Sequence, residues 1–134
     1  MKTIRVVAAL LFDNQGNFLV AERAYGEFAG KWEFPGGKIE EGETEEEAII
    51  REMKEELDVG IVPEKIIGVF SHTYDERKIE LVLVRCALVL PSQKIISDGS
   101  HLQHAWVQLS DCENYDFAPL DREIVEFLRQ AANV

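Results

Sequence analysis

The segment from Thr44 to Leu57 constrains this chain more than any other stretch. Thr44 stands three residues before Glu47, the spacing at which a hydroxyl and a carboxylate cap a helix start reciprocally. Glu45, Glu46 and Glu47 suit the positive end of a helix dipole. Ala48, Ile49, Met53 and Leu57 recur at helical spacing, which predicts an amphipathic helix over 44–57 with this stripe turned to a core. Glu52, Glu55 and Glu56 fall at i, i+3 and i+4 and so share one helix face. Carboxylates that close repel one another unless a counter-charge sits among them, and hard divalent cations such as Mg²⁺ take oxygen ligands of this kind. A merely solvated acidic face has the same pattern, and Arg51 and Lys54 offset part of the charge. The cation reading gains from Pro35-Gly36-Gly37, an irregular segment just upstream that can expose carbonyl oxygens.

The net charge is −11, and residues 40–58 alone carry −8 of it. The acidity is therefore one local feature. A chain of this balance lacks the basic footprint of a duplex nucleic-acid binder. Its 134 residues suit one domain over 1–134, large enough to bury a core without disulfides. Cys86 and Cys112 form no CxxC and read as reduced thiols of a cytoplasmic protein. The opening MKTIRVVAALLF is broken by Arg5 and stops at Asp13-Asn14-Gln15-Gly16, so it reads as a strand and turn rather than a signal peptide. No apolar run approaches the ~20 residues of a membrane span.

Alternation predicts a second strand over 18–23 paired to the first, over 3–12. A loop follows over 24–31, then the short extended piece Trp32-Glu33-Phe34. Two more strands are expected over 65–74 and 78–90 around Asp75-Glu76-Arg77, and a short one over 105–109. The last helix is expected over 120–131, after Pro119, with Ile124, Phe127 and Leu128 inward. Strands flanked by two helices give an α/β (α+β) architecture, a mixed sheet between helices.

The stretch GKIEEGETEEEAIIREMKEELDV resembles the signature box of the Nudix hydrolases. Gly37, Glu43, Arg51, Glu52, Glu55 and Glu56 match its fixed positions, and Met53 and Val59 its aliphatic ones. Six fixed residues at set spacing arise by chance about once in 10⁷ starting points. Asp58 stands where the family has a second Gly that ends the helix; Asp tolerates the left-handed conformation at modest cost. VVAALLF, Glu22-Arg23-Ala24, WEFPGGKIE, Ala105-Trp106-Val107 and FAPLD extend the resemblance over nearly the whole chain, toward the MutT-type nucleoside triphosphate pyrophosphohydrolases.

That resemblance implies an α/β/α sandwich and Mg²⁺-dependent (or Mn²⁺-dependent) hydrolysis of a nucleoside or deoxynucleoside triphosphate to monophosphate and pyrophosphate. It makes Gly36, Glu52, Glu55 and Glu56 metal ligands, Glu52 the base, and Glu43 with Arg51 a supporting ion pair. The family often has Glu, then His, six and five residues before the late Trp; here the pair is Ser100-His101. Asp98 could replace the missing carboxylate, Ser100 could act through water, or activity could be reduced. His101 and His104 are expected to be loop histidines, and His72 a strand residue without catalytic work.

Arg23 matches a nucleotide-contacting position. Phe34, with the loop aromatics Tyr25 and Phe28, could frame a base, although core packing explains Phe34 as well. Asp121 aligns with a base-reading position and is equally suited to capping the last helix. An ionised Asp only accepts hydrogen bonds, which points to a cytosine nucleotide without excluding 8-oxo-dGTP. The alternatives are a nucleotide-binding module with little turnover and a hydrolase of another nucleoside diphosphate derivative such as ADP-ribose. The expected partner is a small nucleotide, with no duplex nucleic acid and no membrane; monomer and homodimer both stay open.

Overall fold

A computed structural model describes residues 1–131; the last three positions of the domain expected over 1–134 lie outside the described residues. Its centre is β1, Lys2–Phe12. Val7 to Leu11 are all essentially inaccessible, a continuous apolar run of the type found where both sheet faces are covered. Odd and even residues take opposite sides. Val7, Ala9 and Leu11 pack with Ala48, Ile49, Met53 and Leu57 of α1, Glu45–Leu57. Ala8 and Leu10 pack with Leu120, Ile124, Val125 and Leu128 of α2, Pro119–Gln130. Two cores on the two faces of one mixed sheet make the helix–sheet–helix sandwich that the sequence implies.

The remaining strands are β2 (Phe18–Arg23), β3 (Trp32–Glu33), β4 (Gly36–Lys38), β5 (Ile61–Tyr74), β6 (Arg77–Leu88) and β7 (His101–Val107). The sheet runs β3-β2-β1-β6-β5, with β4 on β1 and β7 on β2. β1 and β2 pair antiparallel, as expected, through Phe12–Phe18 beside the turn. The long partner of β1 is β6, parallel from Lys2–Arg77 to Phe12–Ala87, and β2 pairs along its length with β7. β7 begins at His101, earlier than the strand expected over 105–109. A 3-10 turn, Leu109–Asn114, leads from β7 toward α2.

The first helix forms as its sequence dictates. Thr44 and Glu47 make both bonds of the capping box, and Asp58 closes the helix in the left-handed region at φ 53°. In α2 the inward positions are Ile124, Val125 and Leu128. Phe127, expected inward, is 39% exposed and meets Phe70 edge-on at 5.3 Å, at the margin of the sheet.

Candidate active site

β4 brings the glycine segment against both β1 and α1. Gly36 pairs with Ala8, and a Cβ there would lie 1.9 Å from the Val7 carbonyl oxygen. A Cβ on Gly37 would lie 2.4 Å from the Glu52 carboxyl carbon. At 36 the β1 backbone leaves room only for glycine, and at 37 a Cβ would push the Glu52 carboxylate aside.

Arg51 organises the acidic cluster. Its Nε and Nη2 grip both oxygens of Glu43 at 2.7 and 2.9 Å, and Nη2 also donates to the Lys38 carbonyl at 3.0 Å. Nη1 reaches Glu52 Oε1 at 2.9 Å and Glu55 Oε2 at 3.3 Å. The guanidinium holds the Glu43 carboxyl down to about 2. Glu43 in turn accepts from the Glu40 backbone N–H at 2.8 Å, so the pair ties the loop to the helix.

The three helix glutamates are not equivalent. The Glu52 side chain is only 12% exposed, against 57% for Glu55. Burial pushes Glu52 up and Glu56 up to about 8; for Glu56 the nearby charges of Glu52, Glu33 and Asp98 add to the effect. Glu56 Oε1 is buried without a hydrogen-bond partner among the described residues. Among those residues no three acidic, His or Cys side chains converge into a closed cation shell. The donor chemistry nevertheless fits a hard divalent cation: two half-buried carboxylates raise one another's cost of ionisation, and one keeps an unpartnered oxygen.

Asp98 sits over the end of the helix, its backbone N–H on the Glu56 carbonyl at 2.8 Å. Its Oδ1 accepts from the Ser100 backbone N–H at 2.9 Å and from the Ser100 hydroxyl. The Ser100 hydroxyl bond is the largest influence holding Asp98 low. Ser100 therefore orients Asp98.

Beside the cluster lies a cavity of about 310 Å³, walled by Gly36, Gly37, Arg23, Glu33, Tyr74 and Asp121 among others. Asp121 is not a helix cap. The capping position of α2 is Ala118, and Asp121 is 7% exposed with Oδ1 accepting from the Phe34 backbone N–H at 2.9 Å. Burial, then the Glu33 charge, pushes it well above the usual carboxylate range. Phe34 is 2% exposed and its ring is stacked between Phe18 and Phe117. It serves the core, and its contribution at the cavity is the N–H that holds Asp121. Phe28 lines the cavity and meets Tyr74 at 5.8 Å, whereas Tyr25 is 68% exposed.

Glu33 and Tyr74 carry cavity positions that the sequence did not single out. Glu33 had a signal, its place in WEFPGG; Tyr74 had none. His101 is no loop residue: it lies on β7, buried, with Nε2 2.9 Å from Glu33 Oε2. His104 is exposed on the same strand, and His72 is a surface residue of β5 with Nδ1 3.5 Å from Glu123.

Comparison with known proteins shows which family the chain belongs to. The model of the NUDIX domain matches residues 2–128. The chain belongs to the NUDIX family. It is a hydrolase. This NUDIX chain is 30% identical over 128 residues to the CTP pyrophosphohydrolase of Escherichia coli K12, an alignment covering 94% of this chain and 91% of that one. It is 33% identical over 81 residues to the 8-oxo-dGTP diphosphatase of Proteus vulgaris, covering 60% of this chain and 72% of that one. The crystal structure of a MutT protein from Methanosarcina mazei superimposes with a TM-score of 0.85 at 27% identity, covering 98% and 97% of the two chains. NUDIX hydrolases generally use divalent metal ions. Among the described residues no helix is long and apolar enough to cross a membrane.

Proposed function

We infer that this NUDIX domain, over 1–134, hydrolyses nucleoside or deoxynucleoside triphosphates in the cytoplasm, giving the monophosphate and pyrophosphate. The observation that carries this reading is adjacency. A cavity with Arg23 and Asp121 on its wall opens beside Gly37, against which the half-buried Glu52 carboxylate is packed.

Glu52, Glu55, Glu56 and the Gly36 carbonyl would hold Mg²⁺, or Mn²⁺ in its place. When bound, such an ion neutralises phosphate charge and polarises the phosphoryl oxygens. Arg51, anchored on Glu43, fixes the rotamer of Glu52. Glu52 accepts the proton of the attacking water as the α–β anhydride opens and pyrophosphate leaves. Arg23 binds phosphate or sugar at the cavity. Asp98, oriented by Ser100, supplies the carboxylate that the Ser100 position lacks.

Asp121 reads the base. Burial and the Glu33 charge raise its cost of ionisation; the carboxylate offers acceptors only, and the neutral acid an O–H donor beside a C=O acceptor. That pair complements cytosine through N3 and its 4-amino group, and 8-oxoguanine through O6 and N7–H. Unmodified guanine presents two acceptors on its O6/N7 edge, while its O6 and N1–H complement the same pair, as they do in 8-oxoguanine. Cytosine nucleotides and 8-oxo-dGTP are the substrate classes put forward, in keeping with the named activities of the two relatives.

Pyrophosphate release from CTP, dCTP, 8-oxo-dGTP and dGTP, with Mg²⁺ and again with EDTA, tests the reading. AMP release from ADP-ribose runs in parallel. Metal-dependent turnover of a cytosine or 8-oxoguanine triphosphate is expected. Turnover of ADP-ribose alone overturns the substrate class. Nucleotide binding without turnover of any member would make the chain a binding module.

A further inference from the structure

Glu33 has both carboxylate oxygens committed, to residues from two different strands. Oε1 accepts from Arg23 Nη1 at 3.1 Å, and Oε2 faces His101 Nε2 at 2.9 Å. The register explains the meeting. Arg23 is the β7 partner of His101, at a bulge that separates it from the Glu22–Gln103 pair. On the other edge of β2, Glu33 pairs with Ala21. Side-chain exposure rises along the chain of contacts, from 2% at His101 through 16% at Glu33 to 36% at Arg23. The series therefore runs from the core out to the cavity, which Glu33 and Arg23 line.

The buried end fixes the direction of the hydrogen bonds. His101 Nδ1 is buried and has no partner among the described residues. A hydrogen on Nδ1 would leave a buried N–H without an acceptor and would turn a lone pair toward the Glu33 carboxylate. A hydrogen on Nε2 makes the bond to Glu33 and leaves only a lone pair unpartnered, the cheaper arrangement. Arg23 keeps further N–H groups for a ligand, and its backbone is pinned on both sides. Its N–H donates to the Lys31 carbonyl, and its carbonyl accepts from Gly30, both at 2.9 Å.

We propose that His101 is a positioning residue for substrate binding: as the Nε2–H tautomer it locks Glu33, and Glu33 aims the Arg23 guanidinium at the nucleotide. His101 itself is too buried to touch a ligand. The function of Arg23 in this proposal rests on the nucleotide reading above; the tautomer of His101 does not.

Two measurements test it. Nitrogen-15 imidazole NMR of the free wild-type protein at neutral pH reads the tautomer, with the hydrogen expected on Nε2. Steady-state kinetics on the best triphosphate substrate then compare His101→Ala, His101→Gln, Arg23→Ala and the Arg23→Ala/His101→Ala pair, with exposed His104→Ala as control. A lost charge-assisted hydrogen bond predicts a KM raised about tenfold in His101→Ala with kcat little changed. His101→Gln, which can present an N–H to Glu33, restores most of it. The double variant is no worse than Arg23→Ala, because the two residues act in series. A hydrogen on Nδ1, a KM within about twofold of wild type in folded His101→Ala, or full additivity with Arg23→Ala overturns the proposal. Wild-type protein that turns over no nucleoside triphosphate overturns the proposed function instead, and the tautomer then decides the His101–Glu33 bond by itself.

Discussion

The carboxylate of Asp121 and the backbone N–H of Phe34, 87 residues apart in sequence, are joined by a buried hydrogen bond of 2.9 Å. It fixes the start of α2 against the residue that precedes Pro35-Gly36-Gly37. Asn at position 121 keeps an accepting oxygen and puts a permanent N–H donor in place of the second carboxyl oxygen. Asp121→Asn is therefore expected to fold normally and to change relative kcat/KM among bases. Unchanged ratios across the nucleotide panel would reduce Asp121 to a structural tie. Asp121→Ala strands the Phe34 N–H and should cost about 1–3 kcal/mol in chemical denaturation.

Glu43 is held down to about 2 by Arg51, against an ordinary 4.5. A carboxyl depressed in the folded state contributes stability that is present above 4.5 and is lost as pH falls toward 2. Denaturation midpoints measured through this window should fall more steeply for wild type than for Glu43→Gln. Parallel curves would show that the pair adds nothing to acid stability. Arg51→Lys should resemble Glu43→Gln, because an ammonium cannot reproduce the two-pronged grip.

Glu52→Gln removes the proton acceptor while keeping size and the contact with Arg51. Loss of general-base catalysis predicts a fall of about 10²–10⁴ in kcat, with an unchanged circular dichroism spectrum. Near-wild-type turnover would move the base assignment to another carboxylate, Asp98 first.

How much of this could be read from the sequence depends on the range of the interaction. The capping box of Thr44 and Glu47, the left-handed Asp58 and the apolar stripe of α1 involve residues within one or two turns, and local spacing sets them. The acidic cluster was legible for the same reason. The long parallel partner of β1 was not. Its parallel register with β6 joins residues 75 apart, as in Ile4–Ile79, and no local pattern encodes that distance. The turn between strands 3–12 and 18–23 does give the expected antiparallel pairing at Phe12–Phe18, and the length of β2 pairs with β7. Asp121, in its capping alternative, and His101, expected in a loop, were misread by the same limitation. Each looks local, a first-turn acid and a histidine beside an Asp-Gly turn. Each owes its burial to a partner on a distant strand, Phe34 and Glu33.

Cys86 and Cys112 are buried, and burial pushes their thiols up to about 12 and about 11 from an ordinary 9. A thiol raised in the folded state contributes stability below pH 9 that is lost as pH climbs toward 11 and 12. Native protein near neutral pH should leave both thiols unmodified by an aromatic disulfide reagent, and denatured protein should release two equivalents. Rapid modification of native protein would contradict the packing of these side chains.

Gly37→Ala probes the link between the glycine segment and the helix. Its Cβ would fall 2.4 Å from the Glu52 carboxyl carbon, closer than any real contact, so Glu52 must move. Glu52 Oε1 would then leave Arg51, and the carboxylate would lose the orientation that both cation binding and proton acceptance require. The expected outcome is Mg²⁺ affinity, read by calorimetry, weakened by about tenfold or more, together with lost turnover. The melting temperature should change less than the activity, because Glu52 has solvent to turn toward and no core side chain is displaced. Wild-type Mg²⁺ affinity in a folded Gly37→Ala protein would show that the close approach of β4 to Glu52 has no part in holding the ion.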